Sequence, residues 1–165
     1  MVEGTFFLNE NSRKHLQRHF SDGDAAGSHF YPEAFPEPDD LIIYVNTHEH
    51  YACINQPNHT SVWVFHYDMP AFVGNSGIIE RSLVDPDSII REVRYGFTID
   101  VACIKEMQQT RHFCVVAKST LQGRMVITAF PGQYAPPFPS ASQPIEQRRE
   151  SERFWNKHLL VKLIQ

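Results

Sequence analysis

The chain has 165 residues, 42% of them hydrophobic and 21% charged, with a formal net charge of −4. That balance suits one globular domain over residues 1–165 and excludes a disordered chain. It also excludes a broad basic surface for non-specific nucleic-acid binding, and no apolar run approaches the ~20 residues that span a bilayer, so no membrane partner is expected.

The amino-terminal stretch MVEGTFFLNENSRK places its charges on the wrong side of a very short apolar patch and does not read as a secretory signal. A free-standing cytoplasmic protein is expected, with a secreted effector as the alternative. Cys53, Cys103 and Cys114 stand singly inside apolar runs, and there is no CxxC. Buried thiols in a reducing compartment are expected, not a zinc ribbon or a disulfide framework.

Residues 9–20 read as a short helix, with Asn9, Asn11 or Ser12 as cap and Leu16 and Phe20 as one apolar i,i+4 stripe. Residues 21–40 are rich in Gly, Asp and Pro and read as a long acidic loop. The runs 41–45, 51–55 and 61–67 are β-branched or aromatic, bounded by turn residues, and read as strands. In 85–96, Asp85 is a cap, Pro86 occupies the first helical position and Gly96 is a stop, so a second helix is expected with Ile89, Ile90 and Val93 inward. Strands at 97–104, 112–118 and 124–130 follow, joined as an antiparallel meander. Residues 131–144 are proline-rich and irregular, and a carboxy-terminal helix is expected over about 145–163. The class is α+β, with helices packed on one side of a curved antiparallel sheet.

Histidine is over-represented, at nine residues. In SRKHLQRHF, His15 and His19 lie four apart among Arg13, Lys14 and Arg18, and an i,i+4 pair projects from one helix face. Two imidazoles suit general acid–base work near neutral pH, and their mutual repulsion separates their titrations. The bland alternative is a solvated helix face. A metal alternative combines His15 and His19 with His48 and His50 of THEH, although no HExxH spacing accompanies them.

Three motifs stand in order: HLQRH on the first helix, ERSLVDPDSIIREV as a turn and helix, and HFCVVAKSTLQGRMVITAFP as a hairpin ending in Thr-Ala-Phe-Pro. Together they resemble the barnase, EndoU, colicin and RelE-like (BECR) nuclease superfamily, in the branch found in phage and polymorphic-toxin proteins. The resemblance covers residues 12–20 and about 79–131; an insertion at about 21–78 and the carboxy-terminal helix lie outside it. It implies helices on a curved antiparallel sheet and metal-independent RNA cleavage by 2′-hydroxyl transesterification to a 2′,3′-cyclic phosphate. No cofactor is implied, and for a toxin a cognate immunity or antitoxin protein is the expected partner.

On that reading His15 and His19 match the family's helix histidines and form the acid–base pair. Thr128 matches the family threonine, and Lys118, at the end of its strand, joins it in holding the phosphate. Arg18, Arg91 and Arg94 are candidate phosphate clamps, Ser119 a turn hydroxyl at the site, and Tyr134 a stacking platform for an unpaired base. Cys114 sits in a hydrophobic strand and is not expected to be a nucleophile. The acidic net charge favours a different class, a non-catalytic RNA- or protein-binding module on the same fold.

Overall fold

The computed structural model describes residues 4–20, 28–56, 61–94 and 96–164. In chain order the elements are β1 (Phe6–Phe7), α1 (Glu10–Gln17), β2 (His29–Phe30), α2 (Pro38–Thr47), β3 (Ala52–Asn55), β4 (Val62–Asp68), β5 (Gly74–Ser76), β6 (Ile78–Glu80), β7 (Ile89–Arg94), β8 (Phe97–Ile104), β9 (Gln108–Thr110), β10 (His112–Thr120), β11 (Gly123–Pro131), α3 (Ile145–Lys157) and β12 (His158–Leu163). The class is α+β, with mostly antiparallel sheets. No helix among the described residues is long and apolar enough to cross a membrane. Part of the acidic loop expected at 21–40, residues 21–27, lies outside the described residues.

Three expected elements take another form. Residues 41–45 lie inside helix α2, not in a strand. Pro38 opens that helix, the Glu37 amide donates to the Asp40 carboxylate at 3.0 Å, and Leu41 and Val45 bury an i,i+4 stripe. The capped start and the tertiary packing override the β-propensity of LIIYV. The second helix expected at 85–96 is a strand. Asp85 does accept from the Asp87 amide, but only Pro86–Ser88 form a 3-10 turn before Ile89–Arg94 pair antiparallel with β8. Gly96 then takes φ +80 at the turn into β8, a conformation natural to glycine. The carboxy-terminal helix stops at Lys157. The remaining residues form β12, in which Leu159 and Val161 are buried at the period of two a strand requires.

The chain divides into two compact units: Met1–Ser76 with Gln109–Gln133, and Gly77–Gln108 with Tyr134–Gln165. The first holds a five-stranded sheet in the order β1-β11-β10-β4-β3 and a small sheet β2-β5-β9. One face of the large sheet carries Phe65, Tyr67, Phe113, Val115, Ala117, Val126 and Ala129. Leu16 and Phe20 from the α1 segment and Leu41 and Val45 from α2 join the same core. Asn9 starts α1 in a capping box, accepting from the Ser12 amide at 2.7 Å while Ser12 accepts from the Asn9 amide. The second unit holds a sheet in the order β6-β12-β8-β7 around Ile79, Val84, Ala102, Leu159 and Val161.

Candidate metal centre

Strands β4 (VWVFHYD) and β10 (HFCVVAKST) place chemistry and core on opposite faces. In β4, Phe65 and Tyr67 face the core, so His66 and Asp68 face the other way. In β10, Phe113, Val115 and Ala117 face the core, so His112, Cys114, Val116 and Lys118 face the other way. The antiparallel register sets Cys114 opposite His66 and His112 opposite Asp68. Four chemically capable side chains, 44 and 48 residues apart in sequence, therefore meet on one patch of sheet.

The ligand-type atoms form a nearly equilateral triangle. His66 Nδ1 lies 3.3 Å from His112 Nε2, Cys114 Sγ lies 3.4 Å from His66 Nδ1, and Sγ lies 3.5 Å from His112 Nε2. With zinc bonds of about 2.0–2.1 Å to nitrogen and about 2.3 Å to sulfur, tetrahedral angles put nitrogens about 3.3 Å apart and nitrogen and sulfur about 3.5 Å apart. Trigonal-planar angles on the same bonds would spread them to about 3.5 and about 3.8 Å. The triangle fits three corners of a tetrahedron. Among the described residues this is the group of three or more His, Cys, Asp or Glu side chains spaced to hold a metal ion.

Burial grades across the site. Cys114 is fully buried, with Sγ 3.5 Å from the Gly132 carbonyl, whereas His66 and His112 are half-buried and Asp68 is exposed. The sulfur is shielded while the imidazoles reach the surface. Burial, and then the neighbouring His112, hold the His66 imidazole below its ordinary pKa against the opposing pull of Asp68. On its far side, His112 Nδ1 lies 2.9 Å from the Tyr51 hydroxyl and 3.2 Å from Asp68 Oδ1. Tyr51 is set there by its own amide, which donates to the His66 carbonyl at 2.9 Å.

The residues singled out from sequence are distributed differently. His15 and His19 are neighbours, with ring centroids 6.4 Å apart. His15 is exposed; His19 is half-buried beside Phe130, its Nδ1 3.0 Å from the Ser28 carbonyl. Burial holds the His19 pKa below the ordinary value, with smaller effects from His15, His29 and Arg18 in the same direction. Arg18 caps the carboxy-terminal end of α1. Lys118 and Thr128 face away from the core: Lys118 follows core-facing Ala117, and Thr128 is the register partner of Val116. The Thr128 hydroxyl is buried without a hydrogen-bond partner. Ser119 is half-buried near the hairpin turn, its amide donating to the Ser61 carbonyl.

Arg91, Arg94 and Tyr134 belong to the second unit. Arg91 pairs with Asp100 and Arg94 with Glu92. The four histidines of the metal alternative do not form a ligand group. His48 stacks on Tyr44 at 3.9 Å as the helix cap, and the His50 ring stands edge-on to Phe65 at 5.1 Å. The signal that reveals the observed cluster is a pair of period-two motifs, His66-Tyr67-Asp68 and His112-Phe113-Cys114, each within a segment that reads as a strand.

No protein-family model matches the chain, and no curated protein sequence matches it. Among solved structures it is similar to a conserved hypothetical protein from Toxoplasma gondii ME49. The two share 8% identity and a TM-score of 0.53 over 82% of this chain and 93% of that one. The likeness is one of fold.

Proposed function

We propose that the protein is a metal-dependent hydrolase whose ion, zinc by ligand type, is held by His66, His112 and Cys114. The observation that carries this reading is the 3.3, 3.4 and 3.5 Å triangle of ligand atoms. Two imidazoles and a thiolate suit zinc, and three protein ligands with an open fourth position are the arrangement of catalytic rather than structural zinc. Zinc bound there would lower the pKa of a coordinated water to about 7 and polarise a carbonyl or phosphoryl oxygen. The chain's own part is to fix the ligands on two paired strands, with both imidazoles only half-buried. The test is hydrolysis of a panel of activated esters, amides and phosphodiesters by metal-stripped and zinc-loaded protein, beside Cys114→Ser. Zinc-dependent turnover lost in the variant supports the reading. Stoichiometric zinc binding without turnover on any substrate class makes the ion structural.

A second reading is metal-free RNA cleavage by His15 and His19, with a cognate neutralising protein as partner. It is favoured by His19: an Nδ1–H donated to Ser28 leaves Nε2 as the basic nitrogen, and burial lowers that imidazole's pKa next to exposed His15. Against it, Arg13 is paired with Asp39 at 2.8 Å and Lys14 lies 3.8 Å from Glu10. Cleavage of single-stranded RNA in excess EDTA, lost in His19→Ala, would favour this second reading over the first.

A further inference from the structure

The imidazole of His112 has two partners on one nitrogen, and only one of them, Tyr51, is able to donate to it. Asp68 Oδ1, at 3.2 Å from Nδ1, is the oxygen of a carboxylate and only accepts. The Tyr51 hydroxyl, at 2.9 Å from the same Nδ1, both donates and accepts. A neutral imidazole carries one proton on one of its two nitrogens, and the nitrogen that binds a metal must be the bare one.

We propose that Tyr51 and Asp68 set the tautomer of His112 and thereby regulate metal loading of the cluster. This rests on the metal-centre reading above. In one state Nδ1 carries the proton and donates it to Asp68, leaving Nε2 bare beside His66 Nδ1 and Cys114 Sγ, 3.3 and 3.5 Å away. That state binds metal. In the other state the Tyr51 O–H donates to a bare Nδ1, and the His112 proton sits on Nε2 inside the triangle. There it points at the neighbouring nitrogen and sulfur and occupies the position an ion would take. The two states have the same number of protons and differ only in which partner His112 serves. Asp68 favours the loaded state and Tyr51 the empty one.

The two side chains therefore have effects of opposite sign. Removing Asp68 withdraws the acceptor that holds the ligating tautomer. Loss of such a partner weakens metal binding by roughly 10- to 100-fold. Removing the Tyr51 hydroxyl withdraws the donor that holds the non-ligating tautomer and raises the competent fraction. The gain is about 5-fold, the population effect of one neutral hydrogen bond. Both side chains are exposed, Tyr51 at 61% and Asp68 at 65%, so Asp68→Ala and Tyr51→Phe leave the core intact.

The experiment is competition titration of zinc against a chromophoric chelator for wild type, Tyr51→Phe, Asp68→Ala and Asp68→Glu. Long-range proton–nitrogen spectra of histidine-labelled protein, with and without zinc, read the tautomer directly. The expected result is tighter binding in Tyr51→Phe, weaker binding in Asp68→Ala and partial rescue in Asp68→Glu. The His112 proton is expected to move from Nε2 to Nδ1 as zinc is added. Wild type that binds zinc while Tyr51→Phe weakens binding, or leaves it unchanged, overturns the switch and spares the metal centre. Folded wild type that binds no zinc overturns both.

Discussion

Cys114 and His66 are register partners on adjacent antiparallel strands, and their Sγ and Nδ1 atoms lie 3.4 Å apart. A sheet face fixes such a contact more firmly than a loop does, because each backbone is held on both sides by its ladder. The site is therefore preorganised, and its ligands can be removed without collapsing the fold around it. Cobalt substituted for zinc should show a thiolate-to-metal charge-transfer absorption in wild type that is absent in Cys114→Ser. Zinc at about 100 times its dissociation constant should stabilise wild type by about 2.7 kcal/mol in urea unfolding and leave Cys114→Ser unmoved.

Phe113 separates His112 from Cys114 and faces the core. It is fully buried, stacked on Tyr67 at 5.0 Å and edge-on to Phe30 and Phe35 at 5.9 and 5.5 Å. Phe113→Ala should cost about 3–5 kcal/mol in urea unfolding and weaken metal binding, because the cavity loosens the strand between the two ligands. A cost below about 1 kcal/mol would mean that the ring is not part of a packed core.

Gly132 follows β11 with φ +96, its amide donating to the His112 carbonyl at 2.8 Å and its carbonyl 3.5 Å from Cys114 Sγ. A Cβ there would lie 2.6 Å from Ser76 Oγ in a backbone conformation that alanine resists. Gly132→Ala should destabilise by more than about 1 kcal/mol and lower zinc affinity. Gly132→Ala with Ser76→Gly should recover only the part due to the clash.

Stability should fall in mild acid. His19 and His50 are both held below the ordinary imidazole pKa, first by burial and then by His15 for the one and Arg124 for the other. In the pH range between each folded value and the unfolded value near 6.5, the unfolded chain binds more protons. Stability is therefore complete above about pH 6.5 and declines as pH falls toward the folded values. Urea midpoints of metal-free protein should drop between about pH 7 and 5, and His19→Gln should flatten that slope.

The sequence makes the single strands plain but not the expected meander: β10 and β11 pair as a hairpin, whereas β8 pairs with β7 and β12 in the other unit's sheet. Strands at 97–104, 112–118 and 124–130 carry long β-branched runs between turn residues, and β8, β10 and β11 stand there. It is less plain where a short segment carries two signals. LIIYV has strand residues behind a helix start, and burial of Leu41 and Val45 decides for helix. DPDSIIREVRYG has a helix start before strand residues, and pairing with β8 decides for strand. The candidate site hides for a related reason. Helical HxxxH is conspicuous because both residues lie in one segment, whereas His66 and Cys114 meet only through a register between strands 48 residues apart. The alternation in HYD and HFC was available; the pairing that joins them was not.

The measurement that bears most directly on the central claim is zinc retained per chain. It would be read by mass spectrometry after equilibrium dialysis, for wild type, Cys114→Ser, His66→Ala and the double variant His15→Ala/His19→Ala. The account predicts one zinc in wild type and in the double variant, and none in Cys114→Ser or His66→Ala. Folded wild type that retains no zinc, or zinc retained undiminished in Cys114→Ser and His66→Ala, would contradict it.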